Sequence, residues 1–235
     1  MSLSYRALAL FLTYPTEDMR ALLPEAAAVL SDDAAIPGPV RRSLSRLAQD
    51  LIAGDLYAHQ EAFVWLFDRT RSLSLNLYEH VHGESRDRGQ AMVALLELYR
   101  SKGLELTANE LPDHLPVFLE FLSTLPDPEA ASLLGEAAHV LAALGERLHK
   151  RQSPYRAVFG GLMALAAAPA DAQALAALLQ EPDDNPDDLE AMDKLWAETA
   201  VTFGPSDVGC PKADAMVREM EGGPPRAPRR AAATA

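Results

Sequence analysis

Residues Leu77 to Leu125 read LYEHVHGESRDRGQAMVALLELYRSKGLELTANELPDHLPVFLEFLSTL, and they set two polar, titratable clusters at the front ends of two strongly apolar segments. The first cluster is Tyr78-Glu79-His80-Val81-His82-Gly83-Glu84, and the second is Glu110-Leu111-Pro112-Asp113-His114. Met92, Leu95, Leu96 and Tyr99 recur at three- and four-residue spacing after the first, as do Phe118, Leu119 and Leu122 after the second. That is the period of a helix buried on one face. Gly83 breaks the chain, Ser85 can cap, Asp87 sits in a first turn, and Lys102-Gly103 is a stop signal. Thr107-Ala108-Asn109-Glu110 has capping-box spacing but is interrupted by Pro112 and Pro116. A proline disfavours helical geometry in the residue before it, so Leu111 and Leu115 are expected extended or turn-like, with the next helix starting at about Pro116. On this reading two prolines present Asp113 and His114 on stiffened backbone.

Upstream, Leu73, Leu75 and Leu77 alternate with Ser72, Ser74 and Asn76, a strand-like period. One short strand has nothing to pair with in a helical chain, so residues 71–84 are expected to form a helix or an extended connector. The apolar run after Arg6 stops at Thr13-Tyr14-Pro15, too short for a signal peptide, and is expected to be the first core helix. Thr16 then caps a second helix containing Pro24, and a third follows Pro37-Gly38-Pro39 with Val40, Leu44, Leu47 and Leu51, ending near Gly54. Asp55 caps a fourth, whose stripe of Leu56, Phe63, Leu66 and Phe67 includes His59 as a satisfied core histidine and leaves Trp65 off centre.

Downstream of Pro126-Asp127-Pro128 the spacing of Leu134, Leu141, Leu144 and Leu148 predicts one long helix; Ser153-Pro154 opens another through Ala168, and Asp171 starts a short alanine-rich one. The acidic run Glu181 to Glu190 is expected to be a loop feeding a last helix through Trp196. The expectation is an all-α protein, with a single compact helical domain over 1–203 and a Gly/Pro-rich, largely disordered tail over 204–235.

Composition narrows the function. With 235 residues, 49% of them hydrophobic, the chain can bury a sizeable core. A formal charge of −13 argues against nucleic acid and anionic membrane as partners and favours a basic one. Cys210 is the sole cysteine, so no intramolecular disulfide or thiolate zinc cluster can form, which fits a cytoplasmic setting. No segment approaches the ~20 apolar residues that span a bilayer. His80, His82 and Glu84 form a weak metal signal, because residues two apart do not share a helical face. Asp113-His114 fits either an oriented general base or a cap and surface pair. Enzyme signatures such as HExxH or a phosphate-cradling glycine loop are missing. Glu84-Ser85-Arg86-Asp87-Arg88-Gly89 fits a salt-bridged turn or a surface for a polar peptide equally well.

The run from Tyr78 to Met92, the segment Glu110-Leu111-Pro112-Asp113-His114-Leu115-Pro116, and Asp187-Asp188-Leu189-Glu190 with Trp196 resemble the assembly chaperones of the nitrate reductase molybdenum cofactor. These belong with the TorD-like redox enzyme maturation chaperones. The likeness covers about residues 4–203 and is strongest over 63–125. It implies an all-helical, cytoplasmic, non-enzymatic protein with no resident cofactor or metal. Its partners would be the amino-terminal segment and apoprotein of the nitrate reductase α subunit, and proteins that deliver molybdenum cofactor. It would keep the apoprotein open for the cofactor and gate the enzyme's membrane docking without itself inserting into the membrane. The residues implied in client-peptide binding are Tyr78, Glu79, His80, His82, Glu84, Arg86, Asp87, Arg88, Pro112, Asp113 and His114. The competing class is a helical metal-dependent hydrolase using clustered His, Asp and Glu.

Overall fold

The computed structural model describes residues 3–83, 85–107 and 110–180. The expected last helix at Trp196, the tail and Cys210 lie outside these residues. Among the described residues the fold is all-α, in eleven helices. They are α1 (Leu3–Phe11), α2 (Glu17–Asp32), α3 (Gly38–Ala53), α4 (Leu56–Phe63), α5 (Leu77–His82), α6 (Arg86–Ser101), α7 (Leu115–Ser123), α8 (Asp127–Glu136), α9 (Ala138–Lys150), α10 (Arg156–Leu165) and α11 (Ala172–Gln180). A π-helical turn, Val64–Asp68, extends α4, and a 3-10 turn covers Arg71–Leu73. No described helix is long and apolar enough to cross a membrane.

The expected signals produce the amino-terminal half. Thr16 accepts from the Met19 amide (3.1 Å) and Asp55 from the Ala58 amide (3.0 Å), each satisfying a helix-start donor that has no intrahelical partner. The helix α2 runs through Pro24. Leu44, Leu47 and Leu51 are buried along one face of α3. The central layer is α1, packed against α2, α7 and α10; α10 in turn packs on α3 and α9, and α9 carries α11. Close approach of α10 depends on Gly161, where an added Cβ would lie 3.1 Å from Leu8 Cδ2. His59, expected as a satisfied core histidine, bonds to the Asp50 carbonyl (3.1 Å) but is only partly buried, at the edge of its stripe rather than in the core. Trp65 lies beneath the Arg151 guanidinium, 5.4 Å from its centroid.

Two expectations are corrected. The long helix after Pro126 is two helices, because Ala137 adopts φ −90°, ψ 1° between α8 and α9. There the end of α10 crosses α8 at Gly135, and the Ala167 amide donates to the Ala131 carbonyl (2.9 Å). The same bond takes Ala167 out of α10, which ends at Leu165 rather than Ala168.

Arg147 is 2% exposed, yet it has no acidic partner among the described residues. Its guanidinium donates to the Ser72 carbonyl (2.7 Å) and to the Leu178 carbonyl (2.7 Å). One cation thus ties α9 to the 3-10 turn that precedes α5 and to α11. Arg147→Met is expected to lower the unfolding free energy by about 2–3 kcal/mol, because it leaves two buried carbonyls without donors. In urea titrations Arg147→Lys should recover less than half of that loss, since a single ammonium cannot serve carbonyls on two separate segments.

Candidate functional site

The alternating leucines upstream of α5 do have a pairing partner, and it is the proline-stiffened segment. Asn76 and His114 form an antiparallel bridge. The Leu77 amide donates to the Asp113 carbonyl (3.0 Å) and the Leu115 amide to the Leu75 carbonyl (2.8 Å). Leu73, Leu75 and Leu77 are all buried. Residues 71–83 are therefore a 3-10 turn, an extended step and a short helix, so both forms expected of this region occur in turn.

The crossing buries the residue expected to be presented. Asp113 is 0% exposed, and its Oδ2 accepts from the Tyr78 amide (3.1 Å) in the first turn of α5. A carboxylate from a remote segment thereby does the work of an N-cap, and Asn76, at the cap position, makes no capping bond of its own. Buried Pro112 lends its carbonyl to the Tyr99 hydroxyl (2.7 Å), tying the crossing to α6. Burial raises the hydroxyl pKa of Tyr99, with Tyr78 and Asp113 adding to the effect. The prolines make the segment rigid enough to cross, and the crossing turns Asp113 inward.

His114 stays half-buried, its Nδ1 3.9 Å from Glu110 Oε2. Burial lowers its pKa, against the opposing pull of Glu110, Asp113 and Asp68. Burial likewise raises the pKa of Asp68, which His114 opposes and Glu110 reinforces. On α5, Glu79 pairs with Arg71 (Nε to Oε1, 3.2 Å) and accepts from the Ser74 hydroxyl (2.7 Å), while His80 Nε2 donates to the Ser74 carbonyl (2.8 Å). The Tyr78 and His82 rings meet edge to face, 5.8 Å between centroids. Burial raises the Tyr78 hydroxyl pKa, with Asp113 and Glu136 contributing. Gly83, at φ 55°, ψ −131°, turns the chain into α6 through backbone that L-residues rarely adopt. Beyond it Arg86 and Asp87 are exposed and Arg88 is half-buried, its Nε without a partner. Glu84 lies outside the described residues.

The structure thus joins the Tyr78-to-His82 cluster directly to Pro112, Asp113 and His114, and Gly83 sets the α6 start beside it. The histidines of the HxH signal have separate uses, and no group of three or more His, Cys, Asp or Glu among the described residues is placed to hold a metal ion.

Sequence reasoning missed a cleft of about 350 Å3 that opens beside this cluster. Leu77 and Val81 of α5, Leu95 and Leu98 of α6, Phe118 of α7 and Val140 of α9 form its apolar walls. Tyr78, His82, Glu136 and His139 supply its polar groups. Val81, set between His80 and His82, is 50% exposed. Leu133, Glu136, Ala137 and Val140 line the cleft at three- and four-residue spacing, so α8 and α9 keep one face toward it across the break at Ala137.

Residues 33–160 match the family model described as Nitrate reductase delta subunit. Over 177 residues the chain is 44% identical to the nitrate reductase molybdenum cofactor assembly chaperone NarJ of Escherichia coli K12, covering 74% of this chain and 73% of that protein. It is 38% identical over 198 residues to NarW of the same strain, covering 84% and 82% of the two chains. Its fold resembles the crystal structure of an Archaeoglobus fulgidus protein assigned to redox enzyme maturation. That match has a TM-score of 0.52 and 24% identity, and covers 69% of this chain and 91% of the other.

Asp113→Ala is expected to cost about 1–2 kcal/mol by uncapping α5 and to accelerate hydrogen exchange first at the Tyr78 amide, whereas Asp113→Asn keeps an acceptor and should cost less. A second expectation concerns pH. The folded-state pKa of His114 lies below its ordinary 6.5, so between the two values the unfolded chain binds a proton that the folded chain does not. Stability therefore falls as pH drops below about 6.5. His114→Gln should flatten that slope in denaturant titrations between neutral and mildly acid pH, where Asp68, Glu110 and Asp113 are its charged neighbours.

Proposed function

Because the chain belongs to the nitrate reductase delta subunit family, we propose that it is a maturation chaperone for respiratory nitrate reductase. It binds the amino-terminal segment of the catalytic α subunit and holds the apoenzyme competent for molybdenum cofactor insertion and membrane docking. Its partners are then the α-subunit apoprotein and the proteins that deliver the cofactor. The role is binding rather than chemistry, in keeping with the separate commitments of its histidines.

The observation that carries this reading is the cleft beside the Tyr78-to-Arg88 motif. At about 350 Å3 it is too small for a folded partner but has room for a few apolar side chains. An amphipathic helix supplies such side chains from positions three and four residues apart. The net charge of −13 steers a basic segment toward the protein and repels an acidic one. Within this surface Tyr78 and His82 line the cleft, and Arg86, Asp87 and Arg88 form a polar approach at the start of α6. Glu79 and His80 anchor the foot of α5. Pro112 and Asp113 act as positioning residues through α5, and His114 marks the edge of the crossing. Glu84 belongs to the same motif by sequence.

Val81→Asp tests the reading. Val81 is half-exposed, so the substitution should change stability by no more than about 0.5 kcal/mol. Affinity for a synthetic peptide of the α-subunit amino-terminal segment, measured by calorimetry, should fall at least about tenfold, or ~1.4 kcal/mol. Unchanged affinity in a folded variant would remove the cleft from the client surface.

A further inference from the structure

We propose that Glu136 is the specificity-determining residue of this cleft, pairing with a lysine or arginine side chain that the bound segment carries next to its apolar anchors. The inference rests on the reading of the cleft as the client site. Glu136 is the single acidic residue among the described residues lining the cleft, and no lysine or arginine lines it. It forms no ion pair or side-chain hydrogen bond with any described residue, and it is exposed, so in the free protein water solvates its carboxylate. The helix dipoles do not account for a charge here, since the C-terminus of α8 and the N-terminus of α9 meet at this point with opposite partial charges.

Occupancy changes that balance. A segment that fills the apolar walls strips water from the adjacent carboxylate, and a carboxylate taken out of water without a partner is costly. A segment placing a cation there offsets the cost, while one placing an apolar or acidic residue does not. Selection therefore operates through the penalty on wrong partners as well as through attraction. The wider trough lined by α3, α9 and α10, about 1290 Å3, carries Arg46, Lys150 and Arg156 with only Asp50 and Glu146, an excess of positive charge that does not favour a basic segment.

The test is a double-mutant cycle by calorimetry with full-length protein. Its probes are a synthetic peptide of the α-subunit amino-terminal segment and variants in which each arginine becomes citrulline and each lysine becomes acetyl-lysine, one at a time. Glu136→Gln is expected to leave the thermal midpoint unchanged and to weaken binding of the parent peptide about tenfold. One neutralised peptide should show the same loss on the wild-type protein and no further loss on E136Q. Glu136→Lys should weaken the parent peptide more and be rescued by a peptide with glutamate at that position. Undiminished binding to E136Q, or losses that simply add for every neutralised peptide, would overturn the role of Glu136 and leave the client reading standing. Failure of the wild-type protein to bind the parent peptide would overturn both. Should E136Q lower the thermal midpoint, the neutralised peptides on wild-type protein still decide, and equal affinity for all of them refutes the pairing.

Discussion

The hydrogen bond from the Tyr78 amide to the buried Asp113 carboxylate, with the Asn76–His114 bridge beside it, is the constraint on which the rest of this surface depends. A six-residue helix is too short to stand alone in water, because the first turn fixes several torsions for a single hydrogen bond. The helix α5 buries only Leu77, so little apolar packing holds it. It persists because a segment from far along the chain satisfies its first amides and pairs with the backbone that leads into it. Without that crossing the α5 wall of the cleft and the approach to α6 would have no fixed position.

A second tie fixes the crossing's other strand. Arg147 holds the Ser72 carbonyl from within the core, just ahead of the leucine alternation. Extended backbone buried among helices must place its amides and carbonyls somewhere, since each unpaired group costs about 1–3 kcal/mol. Here a guanidinium serves Ser72, the crossing serves Leu75 and Leu77, and His80 and Asn76 turn back on Ser74. The polar side chains of this region are thus mostly spent on the backbone that supports α5. Among the described residues, those richest in apparent chemistry assemble no metal-binding group.

Much of this was legible in the sequence. Caps at Thr16 and Asp55, the stripes of α3, α6 and α7, and the start of α7 next to Pro116 all follow from local rules, because each depends on residues within one or two turns of one another. What stayed hidden was non-local. Nothing near Leu73-Ser74-Leu75 announces that its partner lies beyond α6, so the strand-like period looked like a strand without a sheet. The two prolines did mark rigid backbone before α7, but rigidity says nothing about which way Asp113 faces. The break at Ala137 carries no proline and keeps the apolar spacing, so nothing local marked where α8 gives way to α9.

The distribution of burial suggests how such a surface works. Six of the nine residues of α7 are buried, whereas the sixteen-residue α6 buries only Leu95 and Tyr99. Elements that bury little open at lower free-energy cost than those at the core. The walls of the cleft are therefore unequal: Phe118 and Val140 come from tightly packed helices, and Val81, Ala94 and Leu98 from thinly packed ones. The hydrogen bond that ties α6 to the crossing is the Tyr99 hydroxyl on the Pro112 carbonyl. The α7 and α9 walls are thus held by the core, the α6 wall is the one that opens at lower cost, and the crossing holds the foot of α5 between them.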